Sequence, residues 1–572
     1  MTQVPYQNEA KEQDRAKYKV LVIGLDGATY DLLKPWAEQG LLPTLQKLFK
    51  EGTAGELQST VPPMTAPAWT SFMTGKNPGK HGLYDWIYRH KKSYDVSPTL
   101  AHHCDEPTLW SLLSRADRRV CVFNVPMTFP AEPVNGLMIS GMPAPSTDVT
   151  ITHPPELLSE IENEVGPYLL YPDPGDAYSD SGTDAFLDRL YRTTEMRLRV
   201  FHDLRKREAW DFFMLVFNGT DTVQHAMWKH MSPEHPLHDP SKFEKYGSAI
   251  LDYFQYVDEA LGRIVASLDE ETVLVLMSDH GFGPFHKFIH VNNWLRQEGW
   301  LKTKRNPKAL AKSALFKLGF APMKIYNLLM KFGFGRFKRE VVRGKGQGLM
   351  QTFFLSFNDV DWSRTAAYSL GNVGQIFLNV RGREPEGIIE RDEYEAVRDE
   401  IMARLWELRD PETGEQVVQE VYRREEIYSG KHIAKAADIL FIPTRMEYFG
   451  FGEYEFGSNE IIESMKRGIS GTHRPNGMFL MYGQPIKANG WLEGAQIFDL
   501  APTILHLMGE AVLSDMDGQV LNDALKEEWA SFVPRVEEAE SMDADTASSE
   551  GGLSKDQIKQ IGDRLRDLGY VG

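Results

Sequence analysis

Six acidic and imidazole side chains in this sequence are of the types that hold metal ions. They are three aspartates and three histidines, namely Asp26, Asp221, His225, Asp279, His280 and His473. Five of the six follow short apolar runs, and the sixth lies late in the chain in the run SGTHRPNG. Mixed carboxylate and imidazole donors suit Zn²⁺, with Mn²⁺ or Fe as alternatives, whereas an all-oxygen set would favour Mg²⁺ or Ca²⁺. The set is large enough for two ions with open positions.

Two metal ions about 3.5–4 Å apart are the usual arrangement for in-line displacement at phosphorus, because one stabilises the nucleophile and the other the leaving oxygen. The six side chains therefore predict phosphate-ester chemistry. Each residue alone also has an ordinary explanation. An aspartate after a strand often caps a helix or forms a turn, and the DxxxH spacing of Asp221 and His225 can arise by chance. The shared position at strand ends favours a common site.

Thr65 offers a hydroxyl nucleophile for such a centre. It precedes residues 66–75, which are typical of the first turns of a helix, with Pro67 near the first helical position. A hydroxyl at the positive end of a helix lies where a metal ion lowers its pKa and where the helix dipole favours phosphoryl oxygens. The same position suits an ordinary N-cap residue, so both roles remain open.

The elements that would position these side chains are those of a layered α/β fold. Short apolar runs predict buried strands at 19–24, 120–124, 212–218, 272–277, 438–442 and 478–481. Helical periodicity marks the segments 31–50, 185–206, 246–268 and 390–408. Continuous apolar strands are typical of a parallel sheet covered on both faces. The alternation predicts a doubly wound, mostly parallel sheet, and its ligand crevice lies outside the carboxyl ends of the strands.

The composition limits the class of protein. The chain has 572 residues, a formal net charge of −18, 42% hydrophobic and 25% charged residues, which excludes wholesale disorder and fibrous repeats. The acidic balance argues against stable nucleic-acid binding, which needs a clustered basic surface. The first 18 residues contain no signal-like apolar run, and no stretch reaches the length of a membrane span. We therefore expect a cytoplasmic enzyme.

The motifs together resemble the alkaline phosphatase superfamily. They are DG at 26–27, TAPAWTSFMTG at 65–75, DxxxH at 221–225, SDHG at 278–281, THR at 472–474 and FDLAPTILHLMG at 498–509. The chain is most similar to the type I phosphodiesterase/nucleotide pyrophosphatase branch and its bacterial predicted phosphohydrolase/phosphomutase relatives. The resemblance runs from about residue 19 to residue 521 and preserves the order of the motifs.

The resemblance implies an alkaline phosphatase-like fold and a hydrolase with two divalent metal ions. One ion would be held by Asp221, His225 and His473, and the other by Asp26, Thr65, Asp279 and His280. Thr65 would be the nucleophile, and the resemblance implies a covalent phosphothreonine that water then hydrolyses.

The residues around Thr65 separate the branches of the superfamily. Sulfatases resemble one another in a Cys/Ser-x-Pro-x-Arg signature, and this chain has TAPAW at 65–69, without the precursor residue or the arginine. A threonine nucleophile resembles the diesterase and pyrophosphatase branch, whereas monoesterases and phosphomutases usually carry serine. The diesterase branch commonly places an asparagine where this chain has Ala68, so Asn218 or the backbone amide near Ala66 would supply the missing donor to phosphate. A phosphomonoesterase or phosphomutase remains the alternative.

Residues 302–345 form a strongly basic segment. They contain 13 Lys/Arg and one acid, Glu340, so the segment carries +12 and the rest of the chain −30. Interleaved apolar residues predict amphipathic helices, and we expect an inserted basic helical cap at about 286–350. Such a cap would steer polyanionic substrates, contact an anionic membrane at its inner face, or cover apolar surface with its side-chain stems. A membrane-surface binding protein on a decayed enzyme scaffold is the alternative from another class.

The predicted catalytic domain covers residues 19–525, with a segment on either side. Residues 1–18 form a polar N-terminal tail. Residues 526–572 contain an acidic, small-residue linker at 537–552 and a short C-terminal helix at 554–568. We expect these segments to lie outside the catalytic chemistry.

Overall fold

A computed structural model describes residues 18–172, 182–322, 324, 354–452, 456–466, 468–531, 535–538 and 553–567. The predicted N-terminal tail up to residue 17, the basic segment from 325 onward and most of the acidic linker lie outside the described residues.

The described helices and strands alternate along the chain. The α-helices are α1 Tyr30–Glu38, α2 Pro43–Glu51, α3 Thr65–Thr74, α4 Pro78–His81, α5 Leu109–Arg115, α6 Leu157–Val165, α7 Thr183–Arg207, α8 Gly219–Met231, α9 Pro240–Tyr246, α10 Ala249–Val265, α11 Val291–Glu298, α12 Pro307–Lys317, α13 Tyr394–Trp406, α14 Arg424–Ile427, α15 Leu500–Leu507, α16 Glu527–Ala530 and α17 Lys555–Asp567. The strands are β1 Lys19–Leu25, β2 Thr53–Gln58, β3 Ile87–Arg89, β4 Val96–Pro98, β5 Val120–Phe123, β6 Gly136–Ile139, β7 Thr152–His153, β8 Phe212–Phe217, β9 Thr272–Met277, β10 Gly281–Pro284, β11 Lys287–His290, β12 Ala367–Ser369, β13 Gly371–Asn372, β14 Gln375–Leu378, β15 Val418–Arg423, β16 Ile439–Pro443, β17 Tyr448–Gly452, β18 Ile462–Ser464, β19 Gly471–Arg474, β20 Asn476–Tyr482, β21 Gly490–Trp491, β22 Ala495–Gln496, β23 Val512–Leu513 and β24 Val536–Glu537.

A ten-stranded central sheet runs in the order β21-β2-β20-β9-β1-β8-β5-β6-β7, with β22 also paired to β2. Strands β9, β1, β8, β5 and β6 lie side by side in that order and are parallel to one another, whereas β20 and β7, which flank them, are antiparallel to β9 and β6. In β1, Leu25 pairs with Phe217, and Gly24 pairs with Met277. Because parallel strands end at the same edge of a sheet, the residues that follow β1, β8 and β9 lie side by side. The predicted doubly wound, mostly parallel sheet is confirmed.

Three predicted elements differ from the structure. The strand predicted at 438–442 is β16, which lies in a separate sheet of order β12-β14-β16-β15, and β20 is antiparallel to both of its neighbours. Both strands are apolar because both of their faces are buried, and burial of this kind does not depend on strand direction. The helix predicted at 31–50 is two helices, α1 and α2, because Gly40 has a φ of +75° and Pro43 begins α2.

The buried apolar residues form two cores. The larger core covers both faces of the central sheet, and the smaller surrounds β11–β18 with residues from Ile289 to Ile462. We call this smaller part the second lobe. The described part of the predicted cap at 286–350 contributes α11 and α12 to it.

Asp85 joins the two cores. Its neighbour Tyr84 belongs to the core of the second lobe, and its neighbour Trp86 belongs to the larger core. The Asp85 carboxylate accepts hydrogen bonds from the Asn372 backbone N–H at 2.9 Å and from Gln375 Nε2 at 2.7 Å. Burial raises the pKa of Asp85 to about 7, although these hydrogen bonds oppose the shift.

We expect Asp85 to lower the stability of the protein as the pH rises from about 4 to about 7. A carboxyl whose pKa is higher in the folded chain binds its proton more tightly there, so its stabilisation is complete below the unfolded pKa and is lost as the pH passes about 7. The free energy of unfolding of Asp85→Asn minus that of wild type should therefore increase by up to about 4 kcal/mol as the pH rises over this range. Urea unfolding of both proteins between pH 4.5 and 8 measures this difference. Parallel pH profiles would contradict it.

Candidate metal centre and active site

Asp221, His225 and His473 form the first group of candidate ligands. Helix α8 begins directly after β8 and carries Asp221 and His225 one turn apart, so both face the edge of the sheet. His473 lies on β19, opposite Phe282 of β10. Asp221 Oδ1 is 3.3 Å from His225 Nε2 and 3.4 Å from His473 Nε2. Ligand atoms of the three side chains all lie within 4.8 Å of one another.

Asp26, Asp279 and His280 lie beside this group at the ends of β1 and β9. His280 Nε2 is 3.2 Å from Asp279 Oδ2 and 3.7 Å from Asp26 Oδ1. Atoms of Asp26, Asp221 and His280 also lie within 4.8 Å of one another, so Asp221 belongs to both groups. All of these side chains are buried. The six candidate ligands therefore occupy one site at the carboxyl edge of the central sheet.

The three histidines present the same nitrogen to the site. Each places Nδ1 within hydrogen-bond distance of a backbone carbonyl, namely His225 to Gly471 O at 2.7 Å, His473 to Pro63 O at 3.0 Å and His280 to Gly281 O at 3.0 Å. A carbonyl oxygen can only accept, so Nδ1 carries the proton and Nε2 presents a lone pair to the site. His225 Nε2 and His473 Nε2 are only 3.2 Å apart.

This arrangement fits divalent metal ions. Facing imidazole lone pairs and carboxylates repel one another unless a cation lies between them. Asp26 Oδ1 and Asp279 Oδ2 are buried and accept no hydrogen bond from any residue that the structure describes. Backbone carbonyls that fix the tautomer of each histidine are a usual feature of metal sites. The nitrogen and oxygen donors match the preference of Zn²⁺ and related ions.

The protein environment alone disfavours ionisation of two of the carboxyl groups. Burial raises the pKa of Asp279 to about 7, and the charge of Asp221 raises it as well. Burial also raises the pKa of Asp26 well above its usual range, with further contributions from Asp279 and Asp221. Burial opposes ionisation of Asp221 too, but His225 and His473, when protonated on Nε2, would hold its pKa well below its usual range. Bound cations would favour the ionised form of every carboxyl here.

Thr65 is the first residue of α3 and points its hydroxyl at the ligand groups. Its Oγ1 is 3.3 Å from His280 Nε2, and the residue is completely buried. Met64 occupies the N-cap position and forms no side-chain capping hydrogen bond. The interpretation of Thr65 as an ordinary N-cap residue is therefore wrong. The hydroxyl lies at the helix N-terminus, where the first N–H groups have no partner within the helix.

The two predicted substrate contacts also lie at the site. Ala66 is in the first turn of α3, so its N–H lacks an acceptor within the helix. Asn218 follows β8, and its Nδ2 donates to Asp26 Oδ2 at 3.1 Å. Either group could donate to a phosphoryl oxygen beside Thr65.

Gly27 lets two elements of the site approach each other. Its φ is +66°, and a Cβ there would lie 2.9 Å from Phe282 Cδ2 on β10 and 3.4 Å from Asp221 Oδ1. A side chain at this position would be strained and would press on a candidate ligand. The DG pair therefore keeps Asp26 close to β10 and α8.

Two residues that form hydrogen bonds behind this site were not predicted from the sequence, namely Asn124 and Arg197. Asn124 follows β5, and its Nδ2 donates to Asn218 Oδ1 at 2.6 Å. The rule that identified Asp26 and Asp279 applies to Asn124 as well, because it ends the apolar run 120–124. Arg197 contacts Asn124 from the middle of α7. No local pattern distinguishes Arg197 from the other basic residues of that helix.

Several solved structures are similar to this chain, and the one with a TM-score of 0.50 has the same fold. Phosphonoacetate hydrolase from Sinorhizobium meliloti 1021, in complex with phosphonoformate, is similar with a TM-score of 0.50 and 15% identity, over 85% of this chain and 94% of that chain. Murine ectonucleotide pyrophosphatase/phosphodiesterase 5, solved as an inactive variant with AMP, gives a TM-score of 0.47 and 14% identity, over 89% of this chain and 100% of that chain. Comparison with curated proteins finds no match.

A family model covers most of the chain. The model described as type I phosphodiesterase/nucleotide pyrophosphatase matches residues 20–457, a range that contains every candidate ligand except His473. The resemblance of the motifs to this family is thereby confirmed. The chain belongs to the type I phosphodiesterase/nucleotide pyrophosphatase family and is an enzyme of that phosphohydrolase type.

Proposed function

We propose that this enzyme hydrolyses phosphodiester or pyrophosphate bonds with two divalent metal ions, preferably Zn²⁺, and with Thr65 as a covalent nucleophile. One observation carries the proposal. The Thr65 hydroxyl lies at a helix N-terminus, 3.3 Å from His280 Nε2, beside a buried group of three imidazole lone pairs and three carboxylates. A hydroxyl, a group of candidate cation ligands and the N–H donors of a helix start therefore lie next to one another. Transfer of a phosphoryl group requires this arrangement.

The family resemblance divides the candidate ligands between two ions, and Asp221 lies close to both groups. Asp221, His225 and His473 would hold one ion, and Asp26, Asp279, His280 and Thr65 would hold the other. When bound, such ions supply positive charge that stabilises the attacking and leaving oxygens at phosphorus.

The residues of this chain then have separate roles. Thr65 Oγ1 gives up its proton to solvent and forms a new bond to phosphorus, and the leaving oxygen departs with the electrons of the old bond. Water later displaces Thr65 from the phosphothreonine, which restores the hydroxyl and releases the second product. The N–H of Ala66 and an N–H of Asn218 would hold a phosphoryl oxygen, the role for which the side chain of Ala68 has no donor.

A direct comparison of substrates tests this proposal. Metal analysis of the purified enzyme comes first, followed by the rates with bis-p-nitrophenyl phosphate, p-nitrophenyl phosphate, dinucleotides and nucleotide sugars. We expect about two divalent ions per chain and kcat/KM at least about 10-fold higher for diesters than for the monoester. A preference for the monoester would instead support a phosphomonoesterase or phosphomutase.

An exposed surface on the second lobe favours one additional role. Helix α12 and the residue after it expose Leu310, Leu315 and Leu318, which are 53%, 45% and 85% accessible to solvent. Lys308 and Lys317 are exposed on the same helix. No helix among the described residues is both long and apolar enough to cross a bilayer. We propose that this surface contacts an anionic membrane peripherally, since basic and apolar side chains together suit the headgroup region.

Sedimentation with vesicles tests the membrane contact. Wild-type enzyme should pellet with phosphatidylglycerol-rich vesicles and not with pure phosphatidylcholine, and 0.5 M salt should release it. The double change Leu315→Glu and Leu318→Glu should reduce the pelleted fraction at least about 5-fold. Phe243→Glu is the matched control, because Phe243 is similarly exposed, at 48%, outside the second lobe. Failure of the wild type to pellet would leave substrate steering or a solvated cap as the role of the basic segment.

A further inference from the structure

Arg197 is a buried cation that forms no ion pair with any carboxylate among the described residues. It lies in the middle of α7, its side chain is 1% exposed, and no carboxylate of the described residues is within ion-pair distance. The ionisable groups nearest to it are the hydroxyls of Tyr168, Tyr253 and Tyr171. A buried guanidinium without a carboxylate beside it is costly to desolvate, so the groups that accept its hydrogen bonds indicate its role.

A chain of hydrogen bonds leads from Arg197 to the candidate metal centre. Arg197 Nη2 donates to Asn124 Oδ1 at 3.3 Å and to the Leu170 carbonyl at 2.8 Å. Asn124 Nδ2 donates to Asn218 Oδ1 at 2.6 Å. Asn218 Nδ2 then donates to Asp26 Oδ2 at 3.1 Å. Every side chain in this series of hydrogen bonds is buried.

Arg197 determines which atoms donate and which accept in this series of hydrogen bonds. A guanidinium can only donate, so Asn124 must turn its oxygen toward Arg197 and its amide nitrogen toward Asn218. The Val216 carbonyl, 2.7 Å from Asn124 Nδ2, can only accept and supports the same orientation. Asn218 must then turn its oxygen toward Asn124, which leaves its two N–H groups for the reaction centre. One of them holds Asp26, and the other is available to a phosphoryl oxygen.

We propose that Arg197 is a positioning residue that acts through Asn124 to keep the Asn218 amide N–H groups directed at Asp26 and the phosphoryl group. The inference rests on the proposed function for the role of Asn218 at phosphate. Reversal of the Asn218 amide would direct an oxygen at the Asp26 carboxylate and at the phosphoryl oxygens, and both contacts would be repulsive.

A double-mutant cycle between Arg197 and Asn218 tests the proposal. Arg197→Met and Asn218→Ala should each lower kcat, by about 10-fold and about 100-fold, and each should weaken Zn²⁺ binding to the apoprotein by about 10-fold. If Arg197 acts through Asn218, the double variant should be no worse than Asn218→Ala alone in either measurement. Arg197→Lys, which keeps a buried donor-only cation, should recover most of the loss in Arg197→Met.

Arg199→Met is the matched control, because Arg199 lies on the same helix and is exposed, and its hydrogen bond within the described part of the chain goes to the Val165 carbonyl. It should leave kcat and Zn²⁺ affinity unchanged. If Arg197→Met does not fold, Asn124→Gly replaces it in the cycle, since Asn124 has a φ of +60° that glycine adopts without strain.

Multiplicative losses of kcat and of Zn²⁺ affinity in the double variant would overturn the proposal, as would a full loss in Arg197→Lys. The result is distinguishable from failure of the proposed function. Coupling in Zn²⁺ affinity is measured without turnover, whereas the nucleophile is tested separately by replacement of Thr65.

Discussion

Thr65→Ala will lose phosphodiester hydrolysis by at least about 10⁴-fold in kcat and will keep most of its bound metal. The alanine cannot form a bond to phosphorus, and the buried methyl group that remains leaves the packing of α3 nearly unchanged. The six acidic and imidazole ligands stay in place, so metal content should fall little. The measurement is kcat for bis-p-nitrophenyl phosphate alongside elemental analysis of the same sample.

Thr65→Ser is the matched control for this change. Serine keeps a hydroxyl at the same helix N-terminus, so we expect kcat within about 100-fold of wild type. Acid quenching of the wild-type reaction should also trap Thr65 with the phosphoryl group and its remaining p-nitrophenyl ester attached, detectable by mass spectrometry. Retained activity in Thr65→Ala would remove Thr65 from the mechanism and leave direct attack by water.

Asp279→Ala will lose bound metal and, with it, nearly all activity. Asp279 Oδ2 lies 3.2 Å from His280 Nε2 in a buried site, so removal of the carboxylate deletes both a candidate ligand and a negative charge that attracts cations. We expect the metal content to fall by about one ion per chain and the Kd for the remaining metal to rise at least about 10-fold. Elemental analysis and titration of the apoprotein with Zn²⁺ measure these changes.

The control for Asp279→Ala is Asp258→Asn. Asp258 is also a buried aspartate, but it accepts hydrogen bonds from the backbone N–H groups of Thr44 and Leu45 at the start of α2. Its replacement should lower stability and leave the metal content of the folded enzyme unchanged. Metal content equal to wild type in Asp279→Ala would contradict the assignment of Asp279 as a ligand.

Much of the site could be predicted from strand ends alone. Asp26 directly follows β1, Asp279 comes two residues after the end of β9, and Asp221 lies in the first turn of the helix after β8. An apolar run is recognisable in a sequence because each buried strand needs apolar residues on both faces. The parallel direction of β1, β8 and β9 then brings their last residues to one edge. Thr65 was predicted from the helix start that follows it and His473 from its residue type in the run SGTHRPNG, and the family resemblance assigned their roles.

Strand direction and the second lobe could not be predicted in the same way. β20 and β16 have the same apolar character as β1, but β20 is antiparallel to its neighbours and β16 belongs to another sheet. Partners in a sheet are chosen by contacts between residues far apart in the chain. No local pattern in either strand contains that information.

The amino-acid sequence by itself determined the α/β class, the family and the types of the side chains at the site, because periodicity, composition and motif order are local properties. Only the tertiary structure decided which atoms of those side chains meet. Backbone carbonyls from distant segments set the Nδ1 tautomer of His225 and His473, and α7 places the donor-only Arg197 beside Asn124. Whether a side-chain atom donates or accepts depends on a partner that is distant in the sequence, so only the tertiary structure shows it.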